Sequence, residues 1–173
     1  KPGKSRLSTA RKEADRPIFL SGLENGVTCG FPLCAIIENS DQHSSDYREL
    51  ADKPRPGHAD YTAQIKYGGF QDAAGGGHFS GRLTAALVAA GAICQYALEQ
   101  KGIHIGTHIR RLGGIADRDF QDLHADIRCL NQKTFAVLDE HCGAAMQEAI
   151  LAAAAEEDSV GGVLETAVVG MPA

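Results

Sequence analysis

Residues 80–109 read SGRLTAALVAAGAICQYALEQKGIHIGTHI, and a change of hydrophobic period within this stretch decides the fold class. Up to Lys101 the apolar side chains recur at helical spacing, at Leu83, Leu87, Ala90, Cys94 and Leu98. Gly102 ends this pattern, and the residues after it alternate with period two, as in a strand. The stretch therefore predicts a long helix from Ser80 to Lys101, apolar enough to be buried, followed by a strand over Ile103–Ile109.

The region before this helix is dominated by strand patterns. Two apolar runs, 18–20 and 33–37, flank Glu24-Asn25-Gly26, which is a strong hairpin-turn sequence. Asp60 is the expected N-cap of a short helix that ends at Tyr67 before two glycines. This half of the chain therefore predicts antiparallel strands and one short helix.

The residues after this strand predict further helices and then a final strand. The pattern of residues 111–135 is ambiguous, with a short helix near Leu123–Leu130. Asp139–Glu157 predicts a second long helix with Met146 inward, together with Ile150 and Ala153. Residues 163–169 predict the last strand. Strands, then helices, then strands again predict a single α+β domain over residues 1–173, not a βαβ array.

Charge is distributed unevenly along the chain. The net charge is −5, yet residues 1–12 hold five of the 17 basic residues and none of the 22 acidic ones. A basic segment on an acidic body favours a local anion site over a nucleic-acid surface, which would spread its charge along one face. The alternative of a solvated basic tail stays open.

The cysteines and the apolar stretches bear on the cellular compartment of the protein. Five irregularly spaced cysteines argue against a disulfide framework, and the N-terminus lacks the apolar core of a signal peptide. No stretch is expected to span a membrane. We therefore expect a cytoplasmic protein, and its two ends suggest a piece of a longer polypeptide.

The residue types that carry chemistry cluster around Arg55-Pro-Gly-His58 and the start of the long helix. Proline and glycine make a rigid turn that presents Arg55 and His58. A cation in the first helical turn, Arg82, opposes the helix dipole, which suggests an anion held in front of it. We therefore expect an anion site with His58 as proton carrier. Its residues are Arg6, Arg11, Arg55, His58, Ser80 and Arg82. The alternative is a glycine-rich surface loop with ordinary solvated arginines.

No metal site is expected. His104 and His108 have a spacing that would suit a helix, but on a strand they lie about 13 Å apart and cannot share an ion. We interpret both as ordinary sheet residues.

At these positions the chain resembles the chorismate synthase family. The family carries Arg-Pro-Gly-His-Ala-Asp followed by Lys-Tyr-Gly, as residues 55–60 and 66–68 do. Its Pro-Gly-x-Ser-Arg opening matches residues 2–6, and its Asn-Thr-Asp-Gln element is similar to residues 39–42. Two residues differ from the family's usual pattern, since His78 and Leu83 replace an arginine and a glutamate near the expected flavin contacts. The likeness runs through all 173 residues but covers only about the middle of a family member.

The resemblance implies a β-α-β sandwich and a homotetramer. It implies anti-1,4-elimination of phosphate from 5-enolpyruvylshikimate 3-phosphate to give chorismate, with reduced FMN as cofactor, supplied with electrons by NADPH or by another reductase. Arg6, Arg11, Arg55 and Arg82 would bind the substrate, His58 would act on the reduced flavin, and Ser80, Gly81 and Arg82 would contact the cofactor. The isolated chain is expected to be inactive. The alternative function is a non-catalytic anion- or nucleic-acid-binding module that uses the basic N-terminal segment.

Overall fold

A computed structural model describes residues 7–8, 14–39, 53–71 and 79–172. Its contacts group the chain into two compact units, Lys1–Gly91 and Ala92–Ala173, which we call unit 1 and unit 2. Whether the chain forms a single domain therefore stays a prediction. The elements in chain order are β1 Pro17–Ser21, β2 Leu23–Glu24, β3 Val27–Thr28, β4 Cys34–Ile37, α1 Asp60–Tyr67, a 3-10 turn Gly81–Leu83, α2 Thr84–Glu99, β5 His104–Leu112, β6 Ile115–Ala116, α3 Leu123–Leu130, α4 Glu140–Ala155 and β7 Gly162–Val169.

Unit 1 contains two small antiparallel ladders. Strands β1 and β4 pair so that Pro17 lies opposite Ile37, and β2 pairs with β3 across a tight turn. Asn25 and Gly26 in that turn have φ of 51° and 81°. These are the positive values that a two-residue hairpin turn needs, and Asn-Gly supplies them at little cost. The predicted hairpin is confirmed.

Helix α1 has the predicted bounds but not the predicted start. Gly68 ends it in the left-handed conformation, with φ 58°, as expected of a glycine at that position. Ala59 occupies the N-cap position and makes no side-chain cap bond. The prediction that Asp60 caps α1 is wrong, because its carboxylate is bound instead by Arg55 and His58.

Unit 2 is built on a three-stranded antiparallel sheet in the order β6-β5-β7. The β5–β6 turn consists of Gly113 and Gly114, both with positive φ. Helix α3 packs closely on β5, since a Cβ on Gly106 would lie 2.8 Å from Cγ1 of Ile127. Glycine at 106 therefore lets the helix approach the sheet, and Ile127 is 1% exposed. The α3, β5 and β7 predictions are confirmed.

The apolar core of the described residues lies mainly in unit 2. Helix α4 contributes Met146, which is fully buried as predicted, whereas Ile150 and Ala153 are half-buried. Asp139 caps this helix by accepting the N–H of His141 at 2.8 Å. The buried apolar side chains are Ala63, Ile103, Ile127, Leu130, Val137 and Met146.

Helix α2 forms where predicted but is not buried. It runs from Thr84 to Glu99, which is shorter than the predicted Ser80–Lys101, because the first residues form the 3-10 turn and the helix stops before Gly102, which has φ 75°. None of its side chains is buried, and Leu87 is 72% exposed. Within the described part of the chain, the prediction that α2 is buried is wrong. The other described elements do not cover the apolar stripe of this helix.

The same helical stretch also corrects an expectation about membranes. By length and composition alone Gly81–Glu99 is apolar enough to cross one, with a mean hydropathy of 1.3. This is a weak indication, because core helices of soluble proteins meet the same criterion. The mixture of helices and antiparallel sheets confirms the α+β class.

Candidate functional site

The structure describes five of the seven residues predicted for the site. Arg55, His58, Ser80, Gly81 and Arg82 all belong to unit 1. Arg6 and Arg11 lie outside the described residues, as does His78. The contacts arrange the five described residues in two clusters, one around Asp60 and one around Asp15.

The first cluster is made by the turn that sequence reasoning identified. Pro56 fixes its own φ, and Gly57 has φ 70°, a conformation that favours glycine. The N–H of His58 donates to the carbonyl of Arg55 at 3.3 Å and closes the turn. The turn therefore brings the Arg55 and His58 side chains to the same side, next to the first residue of α1.

Asp60 binds Arg55 through both of its carboxylate oxygens. Nε of Arg55 donates to Oδ2 at 2.7 Å, and Nη2 donates to Oδ1 at 2.9 Å. The backbone N–H of Arg55 also donates to Oδ2, at 3.1 Å. These bonds from Arg55 hold the pKa of the Asp60 carboxyl well below its usual range, against the opposing effect of burial. Asp60 is therefore ionised near neutral pH and fixes the plane of the guanidinium.

His58 completes this cluster. Its Nδ1 lies 2.6 Å from Oδ1 of Asp60, and its Nε2 lies 3.3 Å from Nη2 of Arg55. Nη2 of Arg55 also lies 3.2 Å from Nδ1, so it is nearly equidistant from the two ring nitrogens and lies along the lone pair of neither. With the ring proton on Nδ1, Nδ1–H donates to the Asp60 carboxylate and Nε2 keeps its lone pair. The side chain is 26% exposed. The geometry thus presents an imidazole that is oriented by Asp60, contacts the Arg55 guanidinium and keeps a lone pair on Nε2.

The second cluster lies at the start of the long helix. Oγ of Ser80 accepts the N–H of Arg82 at 3.2 Å, so Ser80 caps the 3-10 turn. Nη2 of Arg82 donates to Oδ1 of Asp15 at 2.9 Å and to the carbonyl of Glu38 at 3.3 Å. Among the described residues, no atom beyond the chain neighbours of Gly81 lies within 4 Å of where its Cβ would be. These residues therefore leave room beside the Gly81 backbone.

These ion pairs correct the charge argument made from sequence. From the sequence, a bound anion was the expected partner of the Arg55 and Arg82 side chains. Each of them has a carboxylate of this chain as partner, Asp60 and Asp15 respectively. The charges alone therefore do not require a ligand.

Sequence reasoning missed both carboxylates as members of the site. Asp60 could have been found, because it follows Arg55 within one proline-glycine turn. Asp15 lies 67 residues from Arg82, and no local pattern connects the two.

A third cluster, in unit 2, was also missed. His108 is fully buried and has a carboxylate at each ring nitrogen, with Nδ1 2.7 Å from Asp117 Oδ2 and Nε2 2.9 Å from Glu165 Oε2. The ring meets Phe120 edge-on, with centroids 4.8 Å apart. The interpretation of His108 as an ordinary sheet residue is wrong, while His104 is a half-buried strand residue. Both nitrogens can donate to carboxylates only in the imidazolium form.

Asp117 links this histidine to the start of α4. Burial would raise the pKa of Asp117, but the N–H groups of Leu138, Asp139 and Arg118 and the His108 ring together hold it below its usual value. Its two oxygens accept from Leu138 at 2.6 Å and from Asp139 at 2.9 Å. Because His108 and Asp117 are buried and hydrogen-bonded, this cluster joins β5 to β7 and to the start of α4.

Metal binding has no candidate within the described residues. These residues contain no group of three or more histidine, cysteine, aspartate or glutamate side chains that could hold an ion. In the His108 cluster the two ring nitrogens point in different directions, so the flanking carboxylates cannot share one ion with the ring.

Comparison with known proteins agrees on one family. The family model described as chorismate synthase matches residues 1–173. The chorismate synthase of Pyrococcus abyssi is 46% identical over 166 residues, which is 96% of this chain and 46% of the relative. That of Thermococcus kodakarensis is 42% identical over 171 residues, which is 98% of this chain and 46% of the relative. The chain therefore spans about half the length of the curated relatives it matches.

A solved structure supports the fold. The chain is similar to one titled "Crystal Structure of Chorismate Synthase", with a TM-score of 0.65 and 24% identity, over 90% of this chain and 45% of that one. At this identity the likeness concerns the fold alone.

Proposed function

Because this chain belongs to the chorismate synthase family, we propose that it supplies part of the active site of a phosphate-eliminating lyase of the shikimate pathway. The substrate is 5-enolpyruvylshikimate 3-phosphate, and an anti-1,4-elimination of its phosphate gives chorismate. The single observation that supports this most strongly is the family match over residues 1–173. The alternative of a nucleic-acid-binding module has no support in the comparisons.

The proposed substrate suits a site rich in guanidinium groups. It carries a phosphate and two carboxylates, and preorganised cations stabilise a departing phosphate best where water is excluded. In this proposal Arg55 and Arg82 bind these anionic groups, joined by Arg6 and Arg11. The bidentate contact of Asp60 with Arg55 supports the role, because a guanidinium fixed before binding loses less freedom when the ligand arrives.

His58 is the proposed proton carrier. Its Nδ1–H donates to Asp60, which fixes the ring orientation and leaves the lone pair on Nε2. A proton held at Nε2 places positive charge beside an anionic ligand. An imidazole fixed by a carboxylate in this way is a common arrangement for general acid–base work.

The residues at the start of the long helix fit a flavin. The described residues leave space beside the backbone of Gly81, Arg82 brings a cation, and Ser80 caps the 3-10 turn that contains both. Reduced FMN, when bound, supplies electron density as the C–O bond breaks and recovers it with no net redox change. In the proposal Ser80, Gly81 and Arg82 hold the cofactor and His58 stabilises its reduced form. Electrons reach the flavin either from NADPH within the same protein or from a separate reductase. The protein acts as a cytoplasmic homotetramer.

The test is phosphate release by the complete gene product. We expect the wild-type protein with reduced FMN to release phosphate from the substrate. Arg55→Ala should lower kcat/KM by roughly a hundredfold, because a guanidinium that binds the reacting anion is lost. Lys53→Ala removes an exposed cation two residues away and should leave the rate unchanged. Absence of phosphate release by the wild-type protein contradicts the function, and full activity of Arg55→Ala contradicts the site.

A further inference from the structure

Among the described residues, two acceptors of Arg82 come from the same end of one ladder. Asp15 precedes β1 by two residues, and Glu38 directly follows β4. The register pairs Pro17 with Ile37, so the start of β1 and the end of β4 lie side by side. Nη2 of Arg82 donates to the Asp15 carboxylate at 2.9 Å and to the Glu38 carbonyl at 3.3 Å. The guanidinium head is therefore fixed against a paired strand end.

The Asp15–Arg82 pair is shielded from solvent. Both side chains are 19% exposed, although 67 residues separate them in sequence. A pair this shielded is screened less by salt than a surface pair, and its geometry is better defined. The contact is thus a fixed feature of unit 1.

The backbone at Asp15 is in an uncommon conformation. Its φ is 46°, in the left-handed region that residues other than glycine seldom adopt. Such a conformation costs free energy and persists where the surrounding structure determines it. Arg16 then precedes a proline, which restricts it to extended conformations. The left-handed residue and the restricted one together set the position from which the Asp15 carboxylate meets Arg82.

We propose that Asp15 is a positioning residue, which orients the guanidinium of Arg82 toward the anionic ligand of the site. A guanidinium has five N–H donors in a planar fork, so it can bind a carboxylate through one nitrogen and still recognise an anion. Fixing Nη2 sets the plane of that fork before the ligand binds, which removes an ordering cost from binding. Asp15 also compensates the charge of Arg82 before the ligand arrives. This inference rests on the proposed function of Arg82.

A double-mutant cycle in the complete gene product tests the proposal. Asp15→Asn keeps the shape, one acceptor oxygen and a residue type that tolerates left-handed φ. It should lower kcat/KM for phosphate release about tenfold. In an Arg82→Ala background the same change should have less than about a twofold effect, because the group that Asp15 positions is absent. Glu24→Gln, which neutralises an exposed carboxylate of unit 1, should leave kcat/KM unchanged both in the wild-type protein and in the Arg82→Ala variant.

Two further measurements separate positioning from mere stability. The melting temperatures of Asp15→Asn and of the wild-type protein should agree closely, while FMN affinity measured by difference absorbance should fall about as much in Asp15→Asn as in Arg82→Ala. If the asparagine variant does not fold, Asp15→Glu, which moves the carboxylate by one methylene, replaces it in the same cycle.

An equal loss in both backgrounds, or full activity and full FMN affinity of the Asp15 variant, overturns the proposal. A wild-type protein that binds FMN but releases no phosphate contradicts the proposed function instead, and the FMN affinities then still decide the role of Asp15.

Discussion

Units 1 and 2 differ in what their buried and partly buried residues do. Among the described residues, unit 1 has Ala63 as its one buried apolar side chain, while its partly buried polar groups form the Asp60 and Asp15 clusters. Unit 2 holds the remaining buried apolar side chains and a buried His108–Asp117 pair. It contains none of the predicted site residues. In the proposed function, ligand chemistry belongs to unit 1, while the buried groups of unit 2 support the fold.

The difference also shows in how each unit uses ionic groups. In unit 2 His108 and Asp117 are fully buried, and their bonds join strands to a helix. In unit 1 the side chains of Arg55, His58 and Asp60 keep between 21% and 31% of their surface exposed. In an ion pair that a ligand can reach, the ligand can replace one of the two partners, whereas a fully buried ion pair is not accessible to a ligand. Similar residue types are thus partly exposed in unit 1, where we propose that they bind a ligand, and buried in unit 2, where they join elements of the fold.

The largest expected effect concerns the core of unit 2. Met146→Ala should lower the free energy of unfolding by about 2–5 kcal/mol, because it removes a fully buried side chain and leaves a cavity. Leu87→Ala, in the part of the exposed helix α2 that belongs to unit 1, should change it by less than about 0.5 kcal/mol. Urea denaturation of the 173-residue chain measures both. If the two substitutions lower the free energy of unfolding equally, the inferred difference in packing between the two units is wrong.

A smaller effect should appear in the acid stability of unit 2. Bonds from Arg118 lower the pKa of Asp126 to about 2, against the opposing effect of burial. A carboxyl whose pKa is depressed on folding stabilises the protein above its ordinary value of 3.8, and the stabilisation is lost as pH falls toward 2. Asp126→Asn should therefore cost on the order of 2 kcal/mol at neutral pH and little at pH 2.

Denaturant unfolding at several pH values checks this, with the exposed Glu148→Gln on α4 as the matched control. A loss for Asp126→Asn that is the same at pH 2 and pH 7 would contradict the assignment to the ionised carboxylate.

Local patterns predicted the secondary structure well, for reasons that particular residues make clear. The turn at Asn25-Gly26, the stop at Gly68 and the bounds of α3 all depend on neighbours within a few positions. The β5–β6 hairpin could also have been predicted, since Gly113-Gly114 between apolar residues is a two-residue turn sequence. It was missed because the surrounding pattern was treated as ambiguous.

Tertiary contacts account for the remaining errors. The burial of α2 could not follow from its apolar stripe, because burial depends on which elements pack against it. Asp60 has the sequence of a helix cap, yet Arg55 competes successfully for its carboxylate. Asp15 lies 67 residues from Arg82, and Glu165 lies 57 residues from His108, so no local pattern connects either pair.

Only the site residues that belong to the family motif or to the proline turn were predicted from the sequence. The clustering of Arg55 with His58 follows from the turn. Arg6 and Arg11 stay predictions, since they lie outside the described residues. The meeting of the Asp60 and Asp15 clusters around one ligand is likewise part of the proposal.

The most direct test of this division of roles compares two histidines in the complete gene product. The measurement is phosphate release per folded molecule for His58→Asn and His108→Asn. We expect His58→Asn to lower turnover by roughly a hundredfold or more while the fold stays stable, because a proton carrier is lost. His108→Asn should lower stability and leave turnover per folded molecule close to that of the wild-type protein. Turnover that falls with His108→Asn and persists with His58→Asn would contradict the account.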